Sequence, residues 1–420
     1  MQAQHTLAAP RLGASFPTVP RLSRRVGFWG VAFAFLSVTA LSTAPSALYG
    51  LYEAHEHLSA ITITLVYAVY AAGVTASLLL AGHVSDWYGR KAVLIPALTL
   101  AVAAAVIFIA WQSLTGLLVA RVITGLALGA TVATATAYIA DLDSDPTRPD
   151  AAVTRRAGTM ARTAQVGGLA TGPLASGLLA RYAPAGRTLP YVVLLVALLV
   201  AMLAVALTPE GRPAAHPLPR YRPQRLKVPA HGRGQFLAAI AGAALAFATW
   251  GLFAGLAGRF LAGPLHHPSP ALTGAAIFLT FGAGIVAQTT TTNWSEHRLL
   301  KAGIPTIILG LTVLVMSAWT TPPSLAMFLI GGIATGIGAS AIFRASLGIV
   351  TSTSRADDRA GALATLFIAG YAALSLPVLG LGIVLLYLSP QVTLLIFGLA
   401  TGLGILVAAP TLLRQPDTHH

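Results

Sequence analysis

The ten residues Gly82-His83-Val84-Ser85-Asp86-Trp87-Tyr88-Gly89-Arg90-Lys91 (GHVSDWYGRK) form a charged island between two apolar runs, 59–82 and 92–112. A membrane-crossing helix takes about 20 mostly apolar residues, and each run is long enough. Working outward, the chain yields ten further runs, at 28–52, 114–140, 159–181, 189–208, 236–262, 270–292, 303–320, 324–350, 360–384 and 390–413. We number the twelve as spans 1 to 12. Connectors as short as Gln112-Ser113 and Leu388-Ser389-Pro390 leave no room for a soluble domain. The one long break, 209–235, is rich in Pro, Arg and Lys and reads as a linker between two halves. The expected plan is therefore a tail (1–27), a six-helix bundle (28–208), the linker (209–235), a second six-helix bundle (236–413) and a short tail (414–420).

Composition agrees with that plan. Of 420 residues, 56% are hydrophobic and 9% charged, against roughly a quarter charged in soluble domains. There is too little charge to coat a water-facing surface, and too much apolar content for a disordered chain. The absence of cysteine removes disulfide frameworks, thiolate metal sites and thiol nucleophiles. The net charge of +14 points to nucleic acid only until its distribution is examined. With the N-terminus inside, 20 of the 26 Lys and Arg fall in inner segments and two, Arg181 and Arg187, in outer loops. Arg121, Arg162, Arg259 and Arg344 lie in or at the edges of spans. That bias predicts cytoplasmic termini and linker, with the basic residues facing an anionic inner leaflet. The run after Arg21, Arg24 and Arg25 is too long for a cleavable signal, so it reads as a retained first span.

The halves echo each other. Arg156-Ala157-Gly158 precedes span 5 and Arg359-Ala360-Gly361 precedes span 11; mid-helix prolines follow at Pro173 and Pro377. Spans 4 and 10 share Gly-x-x-x-Gly, at Gly125/Gly129 and Gly332/Gly336. A common offset supports a duplicated six-helix unit.

With these features in place, the chain resembles the major facilitator superfamily over all twelve spans. The sharpest likeness is Gly82-x-x-x-Asp86-x-x-Gly89-Arg90-Lys91 between spans 2 and 3; the corresponding loop of the second half, 293–303, keeps only its basic character. The resemblance implies an all-α integral membrane fold, with twelve transmembrane helices in two pseudo-symmetric six-helix bundles. It also implies that Asp86 docks on the first turn of span 11, about Arg359–Ala362, when the cytoplasmic side is closed. A helix N-terminus suits a carboxylate there. Asp141, ending span 4, is the expected partner of Arg90.

Two further motifs carry expectations. Arg121-x-x-x-Gly125-x-x-x-Gly129 puts a guanidinium about seven residues inside span 4, where lipid exposure costs a few kcal/mol, so it should face the interior. The resemblance gives that arginine a part in coupling and in cavity electrostatics. Gly168-x-x-x-Gly172-Pro173-x-x-x-Gly177 in span 5 combines close helix approach with a proline bend. It resembles the Gly-Pro motif of family members that export drugs by antiport, with Ser176-Gly177 replacing the terminal Gly-Gly.

No carboxylate sits mid-span, so proton coupling, if present, falls first to Glu53 at the outer end of span 1 and second to Asp141. His55 and His57 beside Glu53 and Glu56 are weak candidates for a cation; no metal or other cofactor is expected. Candidate cavity liners are Ser42, Thr43, Tyr49, Arg121, Gln165, Trp250, Gln288, Arg344 and Tyr371. Tyr and Trp suit amphipathic or aromatic ligands, and the arginines favour anions. No nucleotide-binding loop is present, so ATP-driven pumping is not expected. An enzyme acting on lipid-linked substrates would want a polar cluster and longer loops. The expectation is a monomeric secondary transporter of a small organic molecule in a bacterial inner membrane, contacting lipids, with protons the candidate coupling ion and export favoured over uptake.

Overall fold

The structure is a computed structural model that describes residues 22–81, 84–143, 150–211, 226–229, 232–355 and 358–414. Among the described residues every regular element is a helix. Span 1 is Arg24–Thr43, continued by a tight turn (Ala44–Ala47) and a short helix (Tyr49–Glu56). Spans 2 to 6 are Ala60–Ala81, Arg90–Ala110, Leu114–Asp143, Asp150–Tyr182 and Leu189–Leu207. Spans 7 to 12 are Arg233–Ala262, Pro270–Thr290, Glu296–Trp319, Leu325–Thr353, Arg359–Val384 and Pro390–Leu413. Most of the linker and both chain ends lie outside the described residues, as does Gly82.

Local chemistry sets many boundaries. Ser23, Ser269, Ser295, Ser324 and Ser389 each cap a helix by accepting from a backbone N–H three residues on. Pro270 and Pro390 follow two of these caps, where a missing N–H costs nothing. Span 1, expected as one helix over 28–52, is interrupted at Ala44–Ala47 because Pro45 cannot donate to the ladder. Eleven helices are long and apolar enough to cross a membrane by themselves. Span 5 is the exception: it is 33 residues long, yet it carries Arg155, Arg156, Arg162, Gln165 and several threonines. It also begins nine residues before the expected 159.

Spans 1 to 6 pack among themselves, spans 7 to 12 do likewise, and the halves meet along two seams, span 2 with span 11 and span 5 with span 8. Equivalent glycines do equivalent work in each half. Gly125 and Gly129 let span 4 press on span 2, at the Tyr70 carbonyl and Ser77. Gly332 and Gly336 let span 10 press on span 8, at Thr280. Lipid gives helices no hydrophobic reason to associate, so such backbone contact supplies the attraction.

The 5/8 seam is tightest at the end that carries Glu53. A methyl at Gly177 would collide with the Pro270 carbonyl, and one at Gly274 with the Pro173 carbonyl. Gly168 and Gly172 instead face span 1, at Leu36, Thr39, Ala40 and Thr43. The span-5 motif thus bonds one helix to its own half and to the other. Gly274→Val should force spans 5 and 8 apart and lower stability by roughly 1–3 kcal/mol, the usual cost of overpacking. Thermal unfolding in detergent reads this, with Gly282→Ala, which meets nothing within 4 Å, as the neutral control.

Candidate functional site

Three groups of polar side chains are built onto this scaffold. At one end of the bundle the loop between spans 2 and 3 is folded around Arg90, which is buried. Its Nε donates to Asp141 (2.7 Å), and its Nη1 donates to Asp86 (2.7 Å) and to the Ser85 hydroxyl (3.0 Å). The Arg90 backbone N–H donates to Glu210 (2.8 Å), whose carboxylate also accepts from Lys91 N–H. Glu210, at the end of span 6, therefore sits on the positive N-terminus of span 3. Gly89 links loop to helix at φ 96°, a backbone angle that side-chain-bearing residues rarely adopt. The Lys91 ammonium donates to the Ala206 carbonyl (2.6 Å). This network ties spans 3, 4 and 6 of one half.

Asp86 is not docked on span 11 here. Its carboxylate is bonded to Arg90, and its side chain is 51% exposed. Beside the first turns of span 11 lies linker residue Lys227, paired with Asp358 (3.3 Å) and hydrogen-bonded through its main chain to Thr365. The two halves are not latched through Asp86 in this arrangement.

At the centre of the first half, Arg121 is fully buried. Its Nη1 donates to the Ser42 carbonyl and its Nε to the Val66 carbonyl (3.3 Å). The guanidinium lies over the ring of Tyr70 (4.5 Å to the centroid) and near that of Tyr67 (5.7 Å). Arg121 Nη2 and the Tyr49 hydroxyl have no hydrogen-bond partner. Carbonyls and π faces thus hold this charge, with no carboxylate in contact. Opposite stands an aromatic wall in the second half: Phe247, Trp250, Phe281, Phe343 and Tyr371, with ring centroids 5.2–6.0 Å apart in successive pairs. Tyr371 lies within electrostatic range of Tyr70. The Trp250 Nε1 is buried and unpaired.

At the remaining end Glu53 meets Arg259 of span 7 at 2.6 Å, an ion pair between the halves. Glu53 lies beyond the apolar part of span 1. Burial pushes its carboxyl above the ordinary range, although the Arg259 charge pulls the other way. His55 is exposed with Nδ1 3.1 Å from Glu56, and His57, His266 and His267 are exposed too. Among the described residues no three His, Asp or Glu side chains gather as a metal site.

The other expected cavity residues separate into two groups. Ser42 and Thr43 are buried, their hydroxyls donating to carbonyls of span 1 itself, and the Ser42 hydroxyl also lies against Tyr70 of span 2. Gln288 lines a groove between spans 5 and 8 towards the Asp86 end; Gln165 lies half-buried on span 5 nearby. Arg344 does not stand free: its two terminal nitrogens donate to Gln288, Thr291 and Thr292 carbonyls, closing the C-terminus of span 8. Sequence reading passed over Glu210, Tyr67, Tyr70, Arg162 and Arg259. Only Arg259 carried a usable signal: a cation at the same end of span 7 as the carboxylate on its symmetry mate, span 1.

Two six-helix halves joined along paired seams, with a buried cation in one and an aromatic cluster in the other, have the architecture of a membrane transporter. Family comparison agrees: residues 27–326 match the Major Facilitator Superfamily, and the chain belongs to it. Solved structures share the fold at low identity. A peptide transporter POT in complex with sulfate superposes with a TM-score of 0.74 at 14% identity, covering 94% of this chain and 96% of that one. A variant of the same transporter with alafosfalin gives 0.73 at 12%, covering 92% and 93%. A variant of the nucleoside transporter NupG gives 0.70 at 13%, covering 92% and 99%. No curated protein sequence matches this chain.

Replacing the Arg90 side chain leaves Asp86 and Asp141 without their shared cation. Arg90→Gln should lower stability by roughly 1–3 kcal/mol, the partial exposure of Asp86 and Asp141 keeping it below the fully buried case. Arg90→Lys should recover only part, because one ammonium cannot serve Asp86 and Asp141 as a fork does. Thermal unfolding of the two variants checks both statements.

Proposed function

We propose that this protein is a proton-coupled secondary transporter that exports a small organic molecule from the cytoplasm. The carrying observation is an asymmetry between the ends. Glu53 and Arg259 clasp the halves together at one end, while at the other Asp86 is undocked and a groove separates spans 5 and 8. In the orientation favoured by the basic loops, the Asp86 end faces the cytoplasm of a bacterial inner membrane, with the termini on the same side. The arrangement is then an inward-facing state of a monomeric carrier, and rocking of the halves would expose the gap outward. Export rests on the span-5 Gly-Pro motif, whose last glycine sits on the inter-half seam. The aromatic wall around Trp250 supplies a surface for flat or amphipathic substrates.

Glu53 is the coupling residue in this reading. Its carboxyl is raised by burial in the clasped arrangement, and opening the clasp would return it to water and to its ordinary value. The clasped state therefore binds the proton more tightly, and lowering pH favours it. Raising pH through the window between the ordinary and raised values favours release of the outer end.

Proteoliposomes with an internal pH dye test the proposal. A substrate gradient should drive proton movement, and Glu53→Gln should leave flux that no longer responds to pH. Wild-type flux without proton movement would sink the coupling.

A further inference from the structure

Spans 5 and 8 touch at the Glu53 end and part towards the Asp86 end, leaving a small open groove. Thr159, Arg162 and Thr163 come from span 5, and Gln288, Thr289 and Thr292 from span 8, so one ligand there touches both halves. The enclosed space is only about 20 Å³, room for one water-sized group, so the groove grips the charged head of a ligand and does not enclose a whole molecule.

The lining is unbalanced in charge. Arg162 lines the groove, and among the described residues its guanidinium has a single hydrogen-bond partner, the Thr159 hydroxyl at a long 3.4 Å. Arg344 of span 10 stands behind the span-8 wall, fixed to the ends of the Gln288–Thr292 segment, and its charge repels that of Arg162. No acid lines the groove. Glu296 interacts with Arg344 from the far side, packed on Gly348 one turn nearer the Asp86 end. Arg156, earlier on span 5, is paired with Asp143 at 2.9 Å and lies over Phe28 of span 1. The Gln288 side-chain amide adds donor capacity facing Arg162 across the groove.

We propose that this groove is an anion site, in which Arg162 and Gln288 hold the carboxylate or phosphate of a small organic anion between the two halves. A guanidinium takes such a group through paired, charge-assisted hydrogen bonds. The site also couples binding to movement. Arg162 and Arg344 belong to opposite halves, so their repulsion opposes closure at the Asp86 end. An anion between them removes that opposition, and the loaded carrier closes more readily than the empty one. This deepens the transporter reading by naming its substrate class, and it rests on that reading for the transport step only.

Benzoate and benzylamine, with one ring and opposite charges, are the first probes, together with inorganic phosphate. Thermal stability of the purified full chain is measured in nanodiscs of phosphatidylcholine, and again with phosphatidylglycerol added. The expected result is stabilisation by benzoate or phosphate but not by benzylamine. Arg162→Gln should weaken it roughly tenfold or more, and Arg162→Lys should retain an intermediate response. Stabilisation by phosphatidylglycerol alone that Arg162→Gln removes identifies a lipid headgroup as the anion and still supports the site. Equal stabilisation by benzylamine, or an unchanged response in a well-folded Arg162→Gln, overturns it. Anion binding that depends on Arg162 without flux in proteoliposomes would refute the transporter reading and leave the site intact. Flux indifferent to Arg162 would do the reverse.

Discussion

Backbone-to-backbone contact between spans 5 and 8 carries the architecture. In a bilayer, the surroundings of a helix are as apolar as its neighbours, so helices join where small residues let their main chains approach. Here Gly177 lies against the Pro270 carbonyl and Gly274 against the Pro173 carbonyl, while Gly382 of span 11 meets Thr64 of span 2. All these contacts lie towards the Glu53 end. They hold two six-helix bodies together at one end and leave the other end free to differ, and the Glu53–Arg259 pair adds a charged clasp to the same end.

The chain buries guanidinium groups in two distinct ways. Arg90 is paired with Asp86 and Asp141 and functions as a structural tie among spans of one half. Arg121 has carbonyl partners, two tyrosine faces and one unpaired nitrogen. A charge held by neutral groups keeps much of its field, whereas a charge beside two carboxylates does not. The buried centre of the first half therefore keeps a positive field that no carboxylate in contact cancels among the described residues. Arg344 represents a third use: it neutralises the carbonyl end of span 8 and still contributes its charge to the groove next to it.

The loop around Asp86 is held within its own half. In this arrangement its residues satisfy one another and the start of span 3, with Glu210 occupying that helix end. Asp86 is bonded to Arg90 and not to span 11, whose described first turns lie beside Lys227.

Much of the fold was legible in residue order. Span number follows from the length of apolar runs, because a bilayer admits only segments that satisfy their own hydrogen bonds. The Gly-x-x-x-Gly pairs, the serine caps and the glycine that must adopt φ 96° are short-range demands, written within a few positions of where they act. Partnerships between distant segments were not legible. Neither spacing nor composition shows that Glu53 finds Arg259, that Glu210 covers the start of span 3, or that Arg344 spends its donors on span 8. Nor do they show that Ser42 and Thr43 turn back onto their own helix. A single run of residues carries its hydropathy and its local turns, but the pairing of two charges 206 positions apart exists only once the helices have packed and fixed which faces meet.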